Sequence, residues 1–214
     1  MEFLNQVTYG NPTYEMKILL EKKCLVGDLF EELSREPYPK NDSEATKQEL
    51  NEIVGALKDL DTMNPTLLRR YINYDRALIP YIENILKAEG LNEMDLMRSI
   101  QRDITPLIIK LKYKFQRPRP YQLANYYKLS LFPMKSTSAL TPAYPSGHTI
   151  QAIVILTIIG NKHPNLYQSC KRLWEDVALS RIALGVHYPS DNDFSIEVAN
   201  KILKHDKFAE KYSI

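Results

Sequence analysis

The segment Ile150 to Gly160 (IQAIVILTIIG) constrains this chain more than any other. It is apolar almost throughout, yet it falls well short of the ~20 residues needed to span a bilayer, and it carries Gln151 and Thr157. Such a run is expected as a helix buried in a protein core. Only seven glycines, no sustained period-2 alternation and long stretches of Leu, Lys, Glu, Ala and Ile predict that the elements around it are helices too. The expected fold is all-α: a compact helical bundle in which residues 1–214 form one domain, with any active site at helix ends and connecting loops.

Local signals divide the chain. Asp42 or Ser43 caps a helix running to about Leu60, with Glu residues early and Lys58 late. Asn64 with Pro65 opens the next, Thr66 to Ala88, which Gly90 closes. Asn92 caps a third, reaching roughly Lys112, with Pro106 inside it as a candidate kink. Lys128 to Tyr144 (KLSLFPMKSTSALTPAY), dense in Pro, Ser and Thr, reads as a long loop of the kind that carries function. Helices over Asn165 to Leu184 and Ser190 to Lys204 complete the set.

Composition excludes several classes. With 44% hydrophobic and 25% charged residues the chain is neither disordered nor fibrous, and a net charge of +2 is too small for a nucleic-acid binder. Cys24 and Cys170 have no metal or redox spacing and read as reduced and partly buried. The start lacks a basic region followed by an apolar one, so neither a secretory signal nor a membrane span is expected, and the expected location is cytoplasmic.

Chemistry concentrates in three separated stretches: Lys112 to Pro120 (KYKFQRPRP), Pro145 to His148 (PSGH) and Ser180 to Asp191 (SRIALGVHYPSD). PSGH immediately before the apolar run is a helix start, where free N–H groups and the positive dipole end suit an anion. Gly147 allows close approach, Ser146 adds a hydroxyl and His148 can present a proton. In the third stretch Gly185 ends a helix beside Arg181. Across the Tyr188–Pro189 turn, Asp191 can accept from Nδ1–H of His187 and leave Nε2 free to attack. The first stretch supplies Lys112 and Arg119, which the prolines turn out of a helix, although Lys110 and Arg117 repeat the same spacing one dipeptide earlier. Each stretch has a plainer reading: a capped core helix, a dipole-stabilising Asp191, a solvated basic helix end. His148, His187, Asp191 and Asp193 could instead be metal ligands, against which the neighbouring cations weigh.

Together the three stretches resemble the tripartite signature of the type 2 phosphatidic acid phosphatase and vanadium-dependent haloperoxidase superfamily, and every signature position is matched. The resemblance implies that Lys112, Arg119 and Arg181 bind phosphate with hydrogen bonds from Ser146 and Gly147. It also implies that His148 is the general acid and His187 the nucleophile oriented by Asp191, with Arg117 as an extra arginine. The implied activity is metal-independent hydrolysis of a phosphorylated small molecule through a phosphohistidine, as in the compact soluble acid phosphatases of that family. No cofactor is implied, with vanadate an inhibitor. The alternatives are halide oxidation with vanadate as prosthetic group and peroxide as oxidant, or a non-enzymatic helical phosphate-binding protein; a homo-oligomer is left open. His163 and His205 read as solvated or dipole-compensating and Trp174 as core, while Tyr121, Tyr126, Tyr127 and Tyr144 either wall a pocket or pack in the core.

Overall fold

A computed structural model describes residues 2–62 and 65–214, and no strand occurs among them. The α-helices are α1 (Tyr14–Glu21), α2 (Phe30–Leu33), α3 (Glu44–Thr62), α4 (Pro65–Ala88), α5 (Met94–Phe115), α6 (Pro120–Ala124), α7 (Gly147–Lys162), α8 (Tyr167–Ala183), α9 (Pro189–Leu203) and α10 (Asp206–Tyr212).

The apolar run forms α7, whose residues Ile150 and Ala152 to Leu156 are buried on every face. It packs chiefly against α8 and α9, and also against α5 and α4. Each fully buried Ile contributes about 1.5–3 kcal/mol, so α7 is the post around which the bundle is assembled.

Helix ends follow the sequence with informative exceptions. Ser43, not Asp42, caps α3: its Oγ accepts from the Thr46 N–H at 3.1 Å. The capping role expected of Asn64 lies outside the described residues. Gly90 has φ +76, and the Leu91 N–H donates to the Leu86 carbonyl at 2.9 Å, which closes α4 as expected. Glu93 rather than Asn92 precedes α5, which runs on to Phe115 before Gln116 turns left-handed at φ 51. The kink expected at Pro106 falls elsewhere: α4 leaves helical geometry at Ala77 (φ −157, ψ 59). Pro80, three residues on, has no N–H for the Arg76 carbonyl, and its ring crowds that carbonyl. The set of helices expected to end near Lys204 is extended by α10, which docks through the fully buried Phe208, whose ring lies 4.6 Å from that of Tyr212 one turn later.

Residues 129–146 are irregular, as expected of the long loop. Two hydrophobic clusters flank it. The larger gathers α4, α5, α7, α8 and α9; the smaller holds Leu50, Ile53, Leu123, Leu131, Ala143 and Tyr188. Adjacent residues divide between them, Ala143 to the smaller and Tyr144 to the larger, Tyr188 to the smaller and Val186 to the larger. The three chemical stretches therefore meet along the seam between two cores. Both cysteines are free, Cys170 buried and Cys24 half-buried.

Candidate active site

His187 follows the left-handed turn at Gly185, where φ is +73 and an added Cβ would meet Leu57 Cδ1 at 2.9 Å. The imidazole is almost fully buried. Its Nδ1 lies 2.9 Å from Asp191 Oδ2, and its Nε2 lies 2.8 Å from an Arg119 guanidinium nitrogen. A guanidinium only donates, so Nε2 carries the lone pair and the proton sits on Nδ1, donated to Asp191. Burial first, then Arg119, Lys112, Arg181 and His148, hold His187 well below the usual imidazole range. Asp191 is itself fixed. Oδ2 also accepts from the Tyr188 N–H at 3.0 Å, and Oδ1 accepts from Arg117 at 2.7 Å.

The four cations divide by partner. Arg117 is fully buried, donates to Asp191, to Ser190 Oγ (2.8 Å) and to Glu49 (2.9 Å), and lies over the Tyr188 ring at 3.8 Å. It braces Asp191 from behind. Arg119 donates to the Thr141 and Val186 carbonyls at 2.8 and 2.6 Å as well as to His187. Lys112, also buried, donates to the Pro142 and Ala143 carbonyls at 2.7 and 3.4 Å; burial and then Arg119 pull its ammonium well below the usual lysine range. Arg119 stands against His187 Nε2, whereas Arg117 faces the back of Asp191. Arg181 donates through one nitrogen to Asp75 (2.8 Å) and Ser138 (3.3 Å), while its Nε and Nη1 are buried without a hydrogen-bond partner. Buried guanidinium N–H groups without acceptors are costly, and an anion bound beside them would relieve that cost.

PSGH starts α7 as expected. Ser146 is the N-cap, its Oγ accepting from the Thr149 N–H at 3.4 Å and lying 2.9 Å from Thr149 Oγ1. The Ser146 hydroxyl therefore serves the helix start. A Cβ on Gly147 would stand 3.4 Å from Ile108 Cγ2 and 3.6 Å from Lys112 Cε, close against the lysine stem. His148 makes no hydrogen bond among the described residues. Burial first and then Arg181, with Lys112 and Arg119 adding and Asp75 opposing, push it down to about 3.

Two histidines, one braced carboxylate and three cations thus lie within electrostatic reach of one another. Residues 104–199 match a protein-family model described as the PAP2 superfamily. A solved structure, described as the first transmembrane PAP2 type phosphatidylglycerolphosphate phosphatase from Bacillus subtilis, resembles the fold with a TM-score of 0.53 and 18% identity over 87% of this chain and 91% of that one. No curated protein sequence matches the chain. A phosphatase-like function, that of a phosphoric ester hydrolase, accords with the family. In contrast to a transmembrane neighbour, no helix among the described residues here is long and apolar enough to cross a membrane.

Every site residue read from the sequence lies within the PAP2 segment, and the residues that sequence reasoning missed lie largely outside it. Asp75, on α4 beside the Ala77 kink, accepts from Arg181, from Ser136 and Ser138 hydroxyls (2.6 and 2.7 Å) and from the Thr137 N–H (2.9 Å). Burial raises its pKa, but Arg181 and the two hydroxyls overcome that and hold the carboxyl well below the usual range. Glu49 on α3 accepts from Arg117 and from the Ser190 N–H (2.6 Å). Inside the PAP2 segment, Ser195 Oγ accepts from the Ser146 N–H at 2.8 Å and donates to the Asp191 carbonyl at 2.6 Å, tying the α7 start to α9. No local pattern marks Asp75 or Glu49; a polar residue among apolar neighbours on an amphipathic helix was the one available sign.

Among the described residues no three His, Cys, Asp or Glu side chains gather so as to hold a metal ion, and His187 and Asp191 are committed to each other. His163 and His205 stand apart, paired with Glu93 (2.7 Å) and Asp28 (3.0 Å). Tyr144 packs in the core, stacked on Phe194 at 4.5 Å, while Tyr121 and Tyr126 are exposed. Trp174 packs partly buried against the main core.

Proposed function

We propose that the protein is a metal-independent phosphatase that hydrolyses phosphate monoesters or related phosphorylated small molecules through a phosphohistidine, in the manner of the compact acid phosphatases its sequence resembles. The observation that carries this reading is the pairing of an oriented lone pair on His187 Nε2 with the buried, unpartnered Nε and Nη1 of Arg181. A phosphoryl group bound there takes donors from Arg181, Arg119 and Lys112 on its equatorial oxygens. Arg119 exchanges its bond to His187 Nε2 for one to the phosphate, which releases the lone pair for in-line attack. The P–N bond forms as the P–O bond to the leaving group breaks, and His148 gives that oxygen its proton. His148 then takes a proton from water, whose oxygen attacks phosphorus and regenerates His187 with release of inorganic phosphate.

Burial and the neighbouring cations lower the His148 pKa to about 3. His148 acquires its proton with the substrate, because the phosphate charge offsets the cations that hold it down.

The test is a hydrolysis screen in EDTA over an aryl phosphate, nucleotides, sugar phosphates, pyrophosphate and phosphatidylglycerol phosphate in micelles, with His187→Ala alongside. Turnover that survives EDTA, is blocked by vanadate and disappears in His187→Ala with no phosphohistidine trapped on acid-free quench supports the reading. Undiminished turnover by His187→Ala overturns it.

A further inference from the structure

His148 lines one cavity, of about 430 Å³, whose wall also includes Asp75, Ser138, Arg76, Arg98 and Gln101. His187, Lys112 and Arg119 do not line it. In-line displacement puts the leaving group on the side of phosphorus opposite His187, and the proton donor contacts the leaving oxygen, so this cavity is where the leaving group lies.

Its charge is one-sided. Asp75 is the single acidic residue on its wall, and both Asp75 oxygens are consumed by Ser136, Thr137, Ser138 and Arg181. Arg76 and Arg98, by contrast, form no ion pair or hydrogen bond among the described residues. They come from different helices: Arg76 from α4, immediately before the Ala77 kink, and Arg98 from the first turns of α5. Arg76 and the kinked Ala77 both stand on the cavity wall. Two guanidinium groups without counter-charges flank a site whose substrate already carries one phosphate, and guanidinium geometry matches a second phosphate better than any neutral group.

We infer that Arg76 and Arg98 are specificity-determining residues that select substrates whose leaving group bears a second phosphate. This rests on the phosphatase reading above and names the substrate class for the same site. Both arginines are solvent-exposed, so the gain is that of partly screened charge-assisted contacts, about tenfold in kcat/KM for the pair and declining with salt.

The experiment compares α,ω-alkanediol bisphosphates of increasing chain length with alkyl monophosphates of the same carbon number, in low salt and in EDTA. The wild-type protein is expected to prefer at least one bisphosphate by about tenfold in kcat/KM. The ratio should fall towards one in Arg76→Gln/Arg98→Gln and recover in Arg76→Lys/Arg98→Lys, which keeps the charge. Carrying the second phosphate on a long alkyl chain in detergent micelles separates a membrane-borne source from a water-soluble one by the relative rates. A wild-type ratio near one at every chain length and in both presentations overturns the inference while leaving the phosphatase reading intact, as does a ratio that the double Gln variant retains. Hydrolysis of neither series overturns the phosphatase reading itself and this inference with it.

Discussion

The two halves of the site are built on opposite principles. Around His187 the imidazole and the carboxylate are fully partnered: Nδ1 on Asp191, Nε2 on Arg119, Asp191 on Arg117 and the Tyr188 N–H, Arg117 on Glu49, with only Arg117 Nε and the Tyr188 hydroxyl of this half buried without a partner among the described residues. Around His148 the groups are left open: the imidazole makes no hydrogen bond among the described residues, and Arg181 keeps two buried nitrogens without acceptors. Buried donors without acceptors cost about 1–3 kcal/mol each, and a fold tolerates that where a ligand supplies the acceptor. The closed half fixes geometry before the substrate arrives; the open half is completed by the substrate.

The comparison can be broken most severely on the closed half. Asp191→Asn presents an amide to His187 Nδ1 and favours the tautomer with a proton on Nε2, facing Arg119. By analogy with the orienting aspartate of serine-protease triads, kcat should fall by about 10⁴-fold, read with an aryl phosphate, and ¹⁵N chemical shifts should show the exchanged tautomer. An unaltered tautomer would remove Asp191 from the orienting role.

On the open half, Arg181→Lys keeps the charge for Asp75 but loses the planar fork, and kcat should drop by about 10²–10³-fold with little change in the urea midpoint. Arg181→Ala additionally leaves Asp75 buried without its cation, at about 3–5 kcal/mol of stability. An undiminished kcat in Arg181→Lys, with stability lost only in Arg181→Ala, would mean that Arg181 serves structure alone.

The smallest effect sharpens the contrast through pH. His148 has a folded-state pKa of about 3 against an ordinary 6.5, and His187 is shifted in the same direction. The unfolded chain therefore binds protons that the folded protein refuses. Stability present above pH 6.5 is lost as pH falls from 6.5 towards 3, and bound inorganic phosphate should restore part of it by raising the His148 pKa. Thermal unfolding from pH 7 to 4, with and without phosphate, measures this; a midpoint that ignores both pH and phosphate would contradict the open-half picture.

Much was legible in the sequence because it is local. The Ile150–Gly160 run could only be a buried helix, Ser43 and Gly90 act through hydrogen bonds and dihedrals within a few residues, and His187 and Asp191 meet across one turn. Pro80 and Pro106 show the limit: both lie inside helices, but the break falls near Pro80 at Ala77, and α5 continues through Pro106. The same residue type has different outcomes because packing decides whether a helix bends away from a missing bond. The rival registers are a further case. Lys110 and Lys112 differ by two positions, about 200° around a helix, and their spacing to Arg117 and Arg119 is identical.

By itself the sequence determined the helical class and the central helix, since composition and periodicity specify those, while the set of phosphate-handling residues came from the resemblance of its three motifs to a known signature. The tertiary structure alone decided which of those residues stand against His187 and which brace Asp191 from behind. Arg117 became a support because Glu49 arrives from α3, and Arg181 became an anchored receptor because the kinked α4 delivers Asp75. A buried charge is stable only with a partner, and those partners stand 68 and 106 residues away in the chain.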